Sequence, residues 1–139
     1  MEIKNVHKWE QAVIGVLNIM GWDLHWTGES NLSYDAKGKT PKGFDCVIEM
    51  KFRKKYYEYK MLEKSKYNAL MKLDESIIKL YFINDPKGNF MFWLNNLKMP
   101  PPLAMYCPDT TLWTKKKVLK PVYLLKEGDA SIININNSR

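Results

Sequence analysis

The sequence predicts an α/β or α+β fold, a β-sheet with helices packed against it, followed by an irregular C-terminal part with some strand character. Three observations predict it. A helical apolar pattern opens the chain at Val6 to Met20, and an alternating apolar run at Phe44 to Arg53 reads as a strand. Two apolar-aromatic runs, Ile77 to Ile83 and Asn89 to Leu94, flank the turn residues Asn84-Asp85-Pro86-Lys87-Gly88.

The first helix has Asn5 as an N-cap candidate and Gly21 just past its end. Val6, Trp9, Val13, Val16, Leu17 and Met20 would share its buried face. Trp22 to Thr27 and Asn31 to Ala36 are short strand candidates, and 37–43 is a turn by its Gly and Pro content. Lys55 to Leu73 reads as a second helix with Tyr59, Leu62, Ala69, Leu70 and Leu73 on its apolar side. The 84–88 segment reads as a hairpin loop slightly longer than the tightest types. After Pro100-Pro101-Pro102, the segments 110–113, 118–125 and 130–135 suit short strands.

A chain of 139 residues makes one domain, and a 45% hydrophobic content excludes a mainly disordered chain. The two cysteines, Cys46 and Cys107, exclude a disulfide framework, and with His7 and His25 they offer no zinc spacing. There is no apolar run long enough to span a bilayer and no signal-peptide pattern, so the expectation is a cytoplasmic protein with no membrane association. The net charge of +7 favours a polyanionic partner, with lysine supplying nearly all of it beside Arg53 and Arg139.

The 44–53 strand carries the chemistry. Alternation puts Phe44, Cys46, Ile48, Met50 and Phe52 on one face and Asp45, Val47, Glu49 and Lys51 on the other. Other acid-x-Lys triplets occur, but only Glu49-Met50-Lys51 ends a strongly apolar strand. Two positions along a strand, about 6.6 Å, let a carboxylate and an ammonium reach one phosphate. A carboxylate that holds Mg²⁺ beside a lysine that orients or deprotonates water suits phosphodiester hydrolysis. A second acid should converge. Asp45 lies about 13 Å along the same strand. Asp35 lies across the turn and would need a bulged or bent hairpin to reach Glu49, since a simple tight hairpin pairs it nearer Asp45. A solvated charged strand face and a turn-capping Asp35 are the plainer alternatives.

These residues resemble the PD-(D/E)xK nuclease superfamily, with Tyr34-Asp35 at its Pro-Asp and Glu49-Met50-Lys51 at its acid-x-Lys. The resemblance runs over about Val6 to Leu94 as the core, leaving 97–139 as an extension. It implies a restriction-endonuclease-like central mixed sheet flanked by helices. It also implies a Mg²⁺ or Mn²⁺ held by Asp35, Glu49 and the carbonyl of Met50, and a further acid on the first helix, Glu10. Glu63 and Tyr67 have the spacing of a Gln-x-x-x-Tyr pair found after the motif in some members, with Glu in place of Gln; helical spacing would let them act together. The implied activity is a metal-dependent DNA endonuclease, structure-specific or nonspecific. Small members of similar architecture, archaeal-type Holliday junction resolvases, imply a homodimer.

Lys39 and Lys42 on the turn, with Arg53, Lys54, Lys55 and Lys66, are expected to form a basic rim for a DNA backbone. Tyr56 and Tyr57 are candidates to stack on unpaired bases, Tyr59 is expected to pack inside, and the tryptophans are expected in the core. A non-catalytic nucleic-acid-binding protein and a protein-binding module on the same scaffold remain alternatives. The compact size and the Lys-, Asn- and Ile-rich composition are compatible with a phage origin.

Overall fold

The computed structural model describes residues 3–108 and 117–133. Helix α1 (Ile3–Ile19) leads into strands β1 (Asp23–Trp26), β2 (Ala36–Lys39) and β3 (Asp45–Phe52). Strand β4 (Tyr59–Glu63) runs directly into helix α2 (Lys64–Met71). Strands β5 (Ile78–Asp85), β6 (Gly88–Trp93), β7 (Leu103–Pro108), β8 (Lys117–Lys126) and β9 (Ser131–Ile132) follow. The strands form a mixed sheet in the order β1-β2-β3-β5-β6-β9 and a second sheet in the order β4-β8-β7. No helix among the described residues is long and apolar enough to cross a membrane.

Strand β3 is central to the large sheet, antiparallel to β2 and parallel to β5. Parallel neighbours need a crossover, and β4 with α2 supplies it. Both faces of β3 are therefore covered. Cys46, Ile48 and Met50 pack with Val13, Ile14 and Leu17 of α1. Val47, on the opposite face, packs with Leu62, Leu70, Tyr123 and Leu125 from α2 and the second sheet. That double burial makes β3 apolar through most of its length, and it leaves Glu49 only 5% exposed.

Several expected elements are redrawn. Helix α1 begins by Ile3, so Asn5 lies inside it, and Met20 is exposed while Ile14 joins the core. The 31–36 strand is displaced to Ala36–Lys39, where Gly38 lets β1 approach: a Cβ there would stand 1.9 Å from the Asp23 carbonyl oxygen. The 55–73 helix is instead β4 and an eight-residue α2. In β4, Lys60 and Leu62 alternate inward and the strand pairs with β8 far along the chain, from Tyr59 with Lys126 to Glu63 with Val122. That long-range pairing overrides the helix propensity of a lysine-rich segment. The β5–β6 hairpin pairs Asp85 with Gly88, so its loop is only Pro86-Lys87. The 118–125 segment lies within β8, 130–135 contributes the short β9, and 110–113 lies outside the described residues. The tryptophans are not all core, since Trp9 and Trp93 are more than a third exposed.

Candidate active site

The register of the β2–β3 hairpin builds the site. Ala36 pairs with Ile48 and Lys39 with Asp45, around a loop of Thr40 to Phe44. The paired register ends at Ala36, and the residue before it, Asp35, donates its N–H to the Ile48 carbonyl at 2.8 Å, one residue off that register. The turn is centred two residues later than the tight hairpin considered from sequence, and just past the ladder Asp35 and Ala36 both face Ile48, the two-against-one arrangement of a bulge. As the ladder ends, the Asp35 carboxylate takes over, and Oδ2 accepts the Met50 N–H at 2.8 Å. That holds the Asp35 carboxylate beside Glu49, and the two side chains line the same cavity.

Glu49 is buried, and burial raises its carboxyl pKa to about 8, with the Asp35 charge and hydrogen bond pushing the same way. Lys66 opposes this: its Nζ donates to Glu49 Oε2 at 2.7 Å from the first turn of α2. For Lys66, burial favours the neutral amine, yet Glu49 and the other nearby acids outweigh it and raise the ammonium's pKa. Lys51 is shifted the other way. Burial lowers its pKa, and Arg53 and Lys66 lower it further.

Glu10 arrives from α1, across the sheet. It is 5% exposed, and its Oε1 accepts the indole N–H of Trp26 at 2.9 Å. Burial raises its carboxyl pKa, and the charge of Asp35 adds to the rise. Trp26, which sequence reading left among core residues, thus positions an acid. The absence of a side chain at Gly28 leaves room for that indole, since a Cβ there would lie 2.4 Å from Trp26 Nε1.

Glu10, Asp35, Glu49, Met50, Lys51 and Lys66 line one cavity of about 730 Å³. Arg53, Lys54 and Lys55 line it as well. Lys39 and Lys42 do not. The hairpin turn sits at the start of β3 and the carboxylates toward its end, so the turn is about 13 Å or more away at 3.4 Å per residue. Lys39 is instead committed to Asp45 at 2.7 Å. The expected rim loses its turn lysines, and Asp45 is no partner for Glu49.

Glu63 and Tyr67 do not act as a pair. Glu63 ends β4 and accepts from Lys120 Nζ at 3.2 Å, whereas the Tyr67 ring packs edge-on to Tyr123 at 5.2 Å. Their four-residue spacing does not bring them together because Glu63 precedes the helix.

Among the described residues, no three His, Cys, Asp or Glu side chains stand close enough to enclose a metal ion unaided. The donor chemistry nonetheless fits a hard divalent cation. Two adjoining carboxylates, compensated here by a proton and an ammonium, offer oxygen ligands only. Mg²⁺ keeps several water or phosphate ligands and needs only one or two protein carboxylates.

No protein-family model matches the sequence, and no curated protein matches it. Among solved structures, the chain is similar to Hjc, a Holliday junction resolvase from the archaeal hyperthermophile Archaeoglobus fulgidus. The TM-score is 0.53 at 16% identity, covering 66% of this chain and 77% of that one. At that identity the likeness concerns the fold. The mixed sheet flanked by two helices is the resolvase and restriction-endonuclease-like architecture that the sequence implied.

Proposed function

We propose that the protein is a metal-dependent nuclease that hydrolyses DNA phosphodiester bonds. The observation that carries this reading is the nearness of Asp35 to Glu49 toward the end of β3, with Lys51 in the same cavity. The fold shared with a Holliday junction resolvase supports it.

In this reading Asp35, Glu49 and the Met50 carbonyl hold Mg²⁺ or Mn²⁺. Bound there, the cation would lower the pKa of a water and offset charge developing on the phosphate. Lys51 lines the same cavity, where burial lowers its pKa, and its Nζ would hold the attacking water. Arg53, Lys54 and Lys55 hold the strand's phosphates against the cavity. Lys66 neutralises Glu49 in the metal-free protein and keeps the two carboxylates from repelling one another. Glu10, fixed by Trp26, lines the same cavity and acts on Asp35 through its charge rather than completing a three-acid cluster. A single domain has one such site, so cutting both strands of a duplex implies a homodimer, which light scattering would detect.

One observation favours a second reading, a non-catalytic DNA-binding protein. The Lys66 ammonium already satisfies Glu49. The two are separated by incubating purified protein with supercoiled plasmid and branched DNA in Mg²⁺ or Mn²⁺. Cutting that is lost in Glu49→Gln and Lys51→Ala, with folding and DNA binding retained, is the expected result. Salt-sensitive binding with no cutting of any substrate would establish the second reading instead.

A further inference from the structure

A second cavity, of about 530 Å³, shares a wall with the first: Arg53, Lys55 and Tyr57 line both. We propose that this cavity receives an unpaired nucleotide adjacent to the phosphate held in the first, so that the substrate is DNA with a single-stranded element at the cleavage point. The proposal rests on the nuclease reading and names its substrate class.

The cavity lies between the β3–β4 connection and the β7–β8 strands, and its lining suits a base. Tyr57 is 54% exposed, Tyr59 48% and Tyr106 70%, so three aromatic faces are left wet around one hollow. Tyr59, expected inside, is outside because β4 alternates and turns Lys60 inward. Tyr56 is not available, as its hydroxyl donates to Glu127 and its ring covers the Lys60 ammonium. Lys60 is itself spent on Asp85 at 2.7 Å and on the Tyr57 carbonyl. With that buried pair set aside, the cations lining the cavity are Arg53, Lys55 and Lys117, against Glu58. Exposed aromatic faces among cations bind single strands by stacking bases and tracking the backbone. The volume also lies within the range of roughly 300–1,000 Å³ typical of ligand cavities.

Arg53 strengthens the link between the two cavities. Its Nη2 is buried and has no hydrogen-bond partner among the described residues. A guanidinium N–H left without an acceptor is costly, and a phosphate running from one cavity to the other supplies one. A fully paired duplex keeps its bases stacked inside and cannot place one in the second cavity. A nucleotide at a gap, flap or branch can.

The test is fluorescence anisotropy in EDTA, where nothing is cut, with a labelled blunt duplex and the same duplex carrying a short single-stranded gap. The wild type should bind the gapped DNA about tenfold more tightly, the worth of roughly one base stack. Tyr106→Ala and Tyr59→Ala should each remove most of that preference and leave blunt-duplex affinity unchanged. Tyr106→Phe, which keeps the ring, should retain it. Equal wild-type affinity for the two DNAs, or an equal loss on both in Tyr106→Ala, would overturn the proposal while leaving the nuclease reading standing. Absence of all DNA binding would end both.

Discussion

Strand β3 has an acid–lysine contact toward each end, and the two contacts have the same length. At its start Lys39 Nζ lies 2.7 Å from Asp45, and toward its end Lys66 Nζ lies 2.7 Å from Glu49. The Asp45 side chain is 65% exposed and that of Glu49 7%. Distance is the same and burial is not, and burial decides the chemistry. Water screens the first pair, which needs nothing from its neighbours. At the second, burial drives the carboxyl pKa up, so the ammonium and a neighbouring acid govern whether Glu49 carries charge at all. A group poised in this way can exchange its proton and its ammonium for a cation. A solvated aspartate gains nothing comparable.

The most severe test of this contrast compares the two aspartates. Asp35→Asn should lower DNA cutting on the order of 100-fold or more, whereas Asp45→Asn should leave it at wild-type rate, measured by plasmid nicking. Equal effects would dissolve the distinction between the two ends of β3.

A third pair extends the comparison to full burial. Lys60 and Asp85 are both 2% exposed, 2.7 Å apart, with Lys60 between the rings of Tyr56 and Phe90. Removing one partner leaves the other charge stranded inside. Lys60→Ala is expected to cost about 3–5 kcal/mol of stability by denaturant titration. The Lys39→Ala variant should melt with the wild type.

A smaller effect is expected one step behind the carboxylates. Gly28→Ala pushes the Trp26 indole off Glu10, and cutting should fall on the order of tenfold with secondary structure intact by circular dichroism. Unchanged cutting in that variant would remove Glu10 from the site.

A further signal is expected in the pH dependence of stability. Glu49 titrates at 4.5 when unperturbed and at about 8 in the folded protein. Between those values the folded state holds a proton that the unfolded state has released. The stability contributed by this group is therefore full below pH 4.5, falls as pH rises toward about 8, and is level above. Relative to Glu49→Gln, wild-type melting temperature should decline over that interval in thermal scans. Parallel curves would mean that Glu49 is not buried as described.

The sequence by itself determined the elements whose signals are local. The apolar alternation of 44–53, the helix that opens the chain and the hairpin around Pro86-Lys87 all follow from short-range periodicity and turn chemistry. It also singled out Glu49 and Lys51, because an acid-x-Lys ending a buried strand is a conflict between burial and charge visible in one dimension. Tertiary structure alone decided which aspartate faces Glu49. Hairpin register depends on which residues find the core, and a shift in the turn's centre from 40 to 42 moves Asp35 from beside Asp45 to beside Glu49 and leaves Asp45 opposite Lys39. It alone decided that 59–63 is a strand, since the partner strand β8 lies far along the chain. Lys66 was drawn from a phosphate contact to the side of Glu49, and Trp26 was set to hold Glu10, by packing across the two faces of the sheet. Neither contact leaves a periodic trace, because each joins residues from elements that meet only once the sheet is covered on both sides.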